Sequence, residues 1–274
     1  MVRVAAGLLA AAMMLQALKS RQAAAQDLQS SQVDIAYIEP QDSSLRLYYD
    51  TLKRRQVLEE LQELLSPLRL PQKILVKTQE CGRGTVPYEP GKPIVACYEY
   101  VARIVQLAPE SKTRTGISRD TAITGAFVEL ILHETAYAIF DLLQIPVWGR
   151  EEDAADRLAA FVMLQFGKEV AVTTLTGSLW FFEASNRTWT GSDFAQKASP
   201  ETQRFYNYLC IAYGGDPATF TEIVRDTLLR TRRARRCADE YKELSNAFTK
   251  TILPYVDPAQ LRKIQSQTWL RPEN

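Results

Sequence analysis

The chain has 274 residues, with 33 Lys and Arg against 32 Asp and Glu, and it contains a single histidine. Its 46% hydrophobic and 24% charged residues are those of a globular protein, which excludes a disordered or collagen-like chain. One histidine excludes any site that needs two imidazoles, and a formal net charge of +1 argues against nucleic acid as the main partner.

Met1, Val2 and Arg3 give a short positive start. Val4 to Leu18 is apolar except for Gln16, and Ala23, Ala24 and Ala25 form a small-residue cleavage site. Together these read as a secretory signal peptide over residues 1–25, which makes the mature protein secreted or periplasmic. If the signal stays uncleaved, the run becomes an N-terminal membrane anchor. It is short for a bilayer span, and no other stretch reads as one, so none is expected after cleavage. Cleavage removes Arg3, Lys19 and Arg21 and no acid, leaving 30 basic against 32 acidic residues.

Export gives the cysteines a meaning. Cys81, Cys97, Cys210 and Cys237 are an even set in an oxidising compartment, and they read as disulfides. Four cysteines allow three pairings; Cys81–Cys97 with Cys210–Cys237 closes the shortest loops. No two cysteines lie two to four residues apart, so a zinc ribbon is a poor reading.

Along the mature chain, Gln26 to Gln32 is polar, and Val33 to Ile38 alternates as a strand does. Ser44 to Leu65 carries Leu45, Tyr48, Tyr49, Leu52, Leu58, Leu61 and Leu65 near helical spacing, and Pro67 and Pro71 end it. Lys73 to Lys77 and Pro93 to Tyr98 are short strands flanking the loop Gly82 to Lys92. Beyond Tyr98 the pattern is helical. Thr121 to Leu143 is apolar almost all round, the mark of a buried helix. A helix from Arg150 to Phe166 follows Pro146 and Gly149, and another spans Val170 to Ala184. Gly191 to Pro200 is a loop, and Gly214-Gly215-Asp216-Pro217 interrupts the final helices. The expected fold is α+β and mainly helical: a small N-terminal sheet, one buried helix and a helical C-terminal part. Residues 26–274 form one domain, with room for two lobes around a cleft.

Polar residues inside a buried helix need a reason. Glu129, His133, Tyr137 and Asp141 recur every fourth residue and share one stripe, with Glu134 beside it. The plain reading is a polar edge holding a hydrogen-bonded histidine. In the next helix, Glu151, Glu152 and Asp153 suit a first turn through the helix dipole, but Asp156 does not need it. Glu152 and Asp156 share a face.

The stretch Pro146-Val147-Trp148-Gly149-Arg150-Glu151-Glu152-Asp153-Ala154-Ala155-Asp156, behind His133-Glu134, resembles a bacterial family of zinc metallopeptidases. That family is zincin-like and of the thermolysin type, reading His-Glu-x-x-His and then Gly-Arg-Glu-Glu-Asp-x-x-Asp. The resemblance extends to Cys97-Tyr98-Glu99, to Cys210 with Tyr213-Gly214-Gly215-Asp216-Pro217, and to Arg233-Ala234 with Cys237-Ala238-Asp239-Glu240-Tyr241, covering residues 33–256. It implies a zincin-like fold and zinc as cofactor. His133 and Glu152 would be ligands, Glu134 the general base acting on metal-bound water, and Asp156 the partner that orients the ligating imidazole. The chain departs from the pattern at Tyr137, where the family has its second histidine. Tyr137 could ligate as phenolate, against a free pKa of about 10, or Glu129, one turn before His133, could lend a carboxylate; the plain alternative is that Tyr137 fills the space of the imidazole and the metal is lost. The chain also lacks the distant histidine that thermolysin-like enzymes use for the oxyanion.

Two functions follow. One is an exported zinc metallopeptidase with a degenerate His-Glu-x-x-Tyr site. The other is a catalytically inactive pseudo-peptidase that binds a peptide or protein in the same cleft. Of the lesser signals, Arg230, Arg232, Arg233, Arg235 and Arg236 read as a salt-bridged helix end, and Trp180, Phe181 and Phe182 as core. Asn186-Arg187-Thr188 fits a glycosylation acceptor in a eukaryotic host.

Overall fold

A computed structural model describes residues 33–82, 84–185, 199–226, 231–267 and 269. The signal-peptide reading of residues 1–25, the polar stretch 26–32, the Asn186–Thr188 acceptor and most of the 191–200 loop lie outside the described residues.

Three parallel strands form the sheet in the order β1 (Val33–Tyr37), β2 (Ile74–Gln79), β3 (Ile94–Cys97). Val33 pairs with Ile74, and Val76 with Ile94. Ile74, Val76 and Thr78 are the buried face of β2, and all four residues of β3 are buried. Thr78 sits in that core because its hydroxyl meets the Tyr98 hydroxyl at 2.8 Å, which in turn donates to Ile38 O at 2.9 Å. A polar atom buried without such a partner would cost roughly 1–3 kcal/mol.

The β1–β2 crossover holds α1 (Arg46–Arg54) and α2 (Val57–Leu65). The sequence predicts one helix over this stretch. Gln56 breaks it by taking a left-handed backbone (φ 52°), so that Leu58, Leu61, Leu64 and Leu65 turn into the core. After β3 come α3 (Tyr98–Leu107), α4 (Arg119–Leu142), α5 (Glu151–Met163), α6 (Lys168–Ser185), α7 (Glu201–Gly215), α8 (Pro217–Asp226), α9 (Thr231–Thr251) and α10 (Pro258–Gln265). The chain is thus mainly helical with a small N-terminal sheet, as expected from its patterning.

α4 is the central element. Ser118 caps it by accepting from Thr121 N at 3.0 Å. Against expectation, its length and hydropathy would let it cross a membrane, but 72% of its most apolar window is buried inside the protein. It is a core helix, and its apolar faces are covered by other helices. Gly125 of α4 and Gly177 of α6 let these two backbones touch: a Cβ on Gly125 would lie 2.5 Å from Thr174 O and 2.6 Å from Gly177 Cα. Ser178 fastens the crossing by donating to Gly125 O at 3.1 Å.

Both disulfides follow the shortest-loop pairing. Cys81–Cys97 ties the loop after β2 to the end of β3, and Cys210–Cys237 joins α7 to α9. Arg233 forms a two-point pair with Glu240, at 2.7 and 3.1 Å, at the basic end of α9.

Candidate functional site

α4, α5, α7 and the β2–β3 loop enclose a cavity of about 590 Å³. His133, Glu134 and Tyr137 enter it from α4, Glu152 from α5, Arg204 from α7, and Tyr88 from the loop. The loop is pinned at its start, where Cys81 N and Gly82 N both donate to Glu99, at 3.0 and 2.6 Å. Tyr88 then spans two turns of α4. Its N–H donates to Glu134 Oε2 at 2.7 Å and its hydroxyl to Asp141 Oδ2 at 3.0 Å.

The two nitrogens of the His133 ring have different neighbours. Nδ1 lies 2.9 Å from Asp156 Oδ1 and 3.1 Å from Arg204 Nη2. A nitrogen carrying one hydrogen serves only one of them. Arg204 is satisfied by carboxylates, so we place the Nδ1–H on Asp156, an assignment made from the network. Nε2 is 3.8 Å from Glu152 Oε1, beyond hydrogen-bond reach. Tyr137 packs edge-on to the His133 ring, with centroids 5.2 Å apart, and donates its hydroxyl to Glu152 Oε2 at 3.0 Å.

Glu129, on the same stripe as His133, does not face the Glu152 side. Its Oε1 accepts from Arg204 Nη2 at 2.6 Å and from the Tyr208 hydroxyl at 3.3 Å. Arg204 also bonds Asp156 through Nη2 at 2.7 Å and through Nε at 3.0 Å. Its guanidinium stacks on Phe182, 4.7 Å from the ring centroid. Phe182, expected only as core, therefore also forms one wall of the charged cluster.

Charge and burial set the protonation of this cluster. Burial pushes the Asp156 carboxyl up, but Arg204 and His133 outweigh it and hold it below the usual carboxylate value. Burial and Arg204 push the imidazole down, and the bond to Asp156, with the charges of Asp156 and Glu129, holds it above its ordinary value. Burial raises Glu129 and Glu134. Burial, then the neighbouring Glu152 carboxylate, pushes the Tyr137 phenol far up, which keeps it protonated.

Zinc needs three protein donors and an open position for catalysis. On the Nε2 side of His133 the structure brings together one imidazole nitrogen, Glu152 and a phenol that holds its proton. That is two ready donors, and the residues do not fit a resident catalytic zinc. One donor atom each from Glu129, His133 and Asp156 also lie within 4.8 Å of one another, but they converge on Arg204. Cys81, Cys97 and Glu99 are close too, yet both thiols are spent in a disulfide.

The fold gathers His133, Glu134, Tyr137, Glu152 and Asp156, as their helical spacing and the family resemblance lead one to expect. Arg204 and Tyr88 join them without being expected from the sequence. A lone arginine four residues before Tyr208, ahead of the apolar run Tyr208 to Ala212, was the available signal for Arg204. Tyr88 had none.

Residues 37–252 match the family described as "Putative metallopeptidase". No curated protein and no solved structure is significantly similar to the chain.

Proposed function

Because the chain belongs to the family described as "Putative metallopeptidase", we propose that it is a peptidase scaffold kept as an exported, non-catalytic module that holds a peptide or protein in its cleft. The observation that carries this reading is the hydrogen bond from Tyr137 to Glu152 Oε2 at 3.0 Å. It engages the carboxylate that zinc would need, with a group that keeps its proton. The cleft itself remains suited to a peptide. Tyr88, Tyr100, Tyr137 and Phe140 line it beside the carboxylates of Glu134, Asp141, Glu151 and Glu152. Trp148, next to the cleft-lining Val147, is 93% exposed, and exposed tryptophans are favoured anchors for partners. Disulfides agree with an oxidising compartment, and the apolar N-terminal run with export.

A hydrolase remains the competing reading, favoured by one observation: Asp156 orients His133 so that Nε2 faces Glu152, as a zinc site would require. Metal analysis separates the two. After purification with added zinc, the non-catalytic reading expects under about a tenth of an equivalent bound. It also expects Glu134→Gln to retain peptide capture, and Trp148→Ala to weaken it by roughly tenfold or more. A full equivalent of zinc together with peptide cleavage abolished by Glu134→Gln would sink it.

A further inference from the structure

The Nδ1 side of His133 contains a cation of the protein's own. Arg204 Nη2 lies 2.6 Å from Glu129 Oε1, 2.7 Å from Asp156 Oδ1 and 3.1 Å from His133 Nδ1. Those three residues come from two helices, α4 and α5, and the arginine from a third, α7. Glu129 and Asp156 are 1% and 0% exposed, and the Arg204 side chain is 14% exposed.

Donor spacing is that of a metal site. Zinc bonds of about 2.0–2.1 Å put neighbouring donors of a tetrahedral site roughly 3.3 Å apart. The Nδ1 of His133 is 2.9 Å from Asp156 Oδ1 and 4.0 Å from Glu129 Oε1, values that bracket this separation. Two buried carboxylates are costly without a compensating charge or proton, and here a positive group sits between them. In this chain it is a guanidinium, planar and forked, which meets Asp156 with two nitrogens and Glu129 with one.

We propose that Arg204 is the resident cation of this protein: its guanidinium fills a position where Glu129, His133 and Asp156 would otherwise close on a divalent metal, and removing it uncovers a zinc site. This is a different face of the imidazole from the one that Glu152 and Tyr137 approach. Arg204 Nε also lies 3.6 Å from Glu152 Oε1, so the test must tell a gain through Asp156 from one through Glu152.

The test uses the mature, disulfide-bonded protein. Wild type, Arg204→Ala, Arg204→Ala with Asp156→Asn, and Arg204→Ala with Glu152→Gln are dialysed against micromolar zinc, and their metal content and melting temperature are measured. Relative to wild type, Arg204→Ala is expected to gain about one equivalent of zinc, at least a tenfold rise in content. The Asp156→Asn double variant loses that gain, and the Glu152→Gln double variant keeps it. Zinc raises the melting temperature of Arg204→Ala, and so does millimolar ethylguanidinium, which refills the vacated position; neither raises that of wild type.

If Arg204→Ala does not fold unaided, it is refolded with zinc or ethylguanidinium, and recovery by either supports the proposal. Failure of both to recover it overturns the proposal. So does a folded Arg204→Ala that gains no zinc, or one whose gain depends on Glu152 and not on Asp156. Zinc held by wild type through Glu152, together with peptide cleavage abolished by Glu134→Gln, would overturn the non-catalytic reading alone. It would leave this inference standing if Arg204→Ala then takes up a further, Asp156-dependent equivalent.

Discussion

The Tyr137 hydroxyl donates to Glu152 Oε2 at 3.0 Å, joining α4 to α5 where the family resemblance would put a second imidazole and a metal. One hydrogen bond thus links the two helices. An imidazole at position 137 would restore the third donor, although Glu152 Oε1 also lies 3.6 Å from Arg204 Nε. Tyr137→His is expected to raise bound zinc from under about a tenth to near one equivalent, held with His133 and Glu152. Tyr137→Phe is expected to bind no zinc and to lose about 1 kcal/mol, the ordinary worth of one hydrogen bond. Metal content and urea midpoints check both. A Tyr137→His protein that folds and stays metal-free would show that the missing ligand is not the cause of the deficit.

The crossing of α4 and α6 lies at Gly125, eight residues before His133 on the same helix. Gly125 and Gly177 meet backbone to backbone there, and a Cβ on Gly125 would lie 2.6 Å from Gly177 Cα. No flexible side-chain end can move aside, because the obstructing atoms are main chain. Gly125→Ala and Gly177→Ala are each expected to cost roughly 1–3 kcal/mol, the range for overpacking a tight interior. Gly91→Ala serves as a contrast. No atom lies within 4 Å of its Cβ position, and only its positive φ of 73° opposes the change. Equal losses at all three positions would argue against a tight crossing.

Much of this arrangement is legible in the sequence because it is local. The spacing of Glu129, His133 and Tyr137 on one helix, and of Glu152 and Asp156 on the next, follows from 3.6 residues per turn. The break at Gln56 is not legible, since neither glycine nor proline marks the left-handed backbone there. Arg204 can be noticed as a lone arginine before an apolar run, but its pairing cannot be read, for another reason. It pairs with Glu129 across 75 residues, and no periodicity constrains a side chain that far from its partner. Phe182, placed in the core by its neighbours' hydrophobicity, reveals its contact with that guanidinium only once three helices are assembled.

The Cys81–Cys97 bridge lies at the foot of the loop that carries Tyr88 over Glu134 and Asp141. Its sequence separation of 16 corresponds to roughly 3 kcal/mol of loop entropy removed from the unfolded chain. Replacing both cysteines with serine is expected to lower stability by about that amount and to loosen Tyr88. Hydrogen exchange at the Tyr88 amide, which donates to Glu134 at 2.7 Å, reads the second effect directly. Exchange that stays as slow as in wild type would mean that Glu99, holding Cys81 N and Gly82 N, positions the loop without the disulfide.

Stability should vary with pH in a direction fixed by the buried cluster. His133 is held above its ordinary 6.5, where an unfolded imidazole titrates, because Asp156 and Glu129 outweigh burial and Arg204. It therefore contributes stability that is fully present below 6.5 and lost as the pH rises through the folded value. Glu129 and Glu134, raised from 4.5 chiefly by burial, act in the same sense, since the fold prefers their protonated forms and loses stability as they ionise. Asp156 opposes them only in acid: lowered from 3.8, it stabilises above that value and ceases to do so as the pH falls through its folded one. Urea midpoints at constant ionic strength are thus expected to fall between about pH 5 and pH 9. His133→Gln is expected to differ from wild type most at about pH 5 and least at about pH 9, because only the protonated ring is favoured by the fold. A wild-type midpoint higher at about pH 9 than at about pH 5 would mean that His133 stays neutral, and that Arg204 alone balances Glu129 and Asp156.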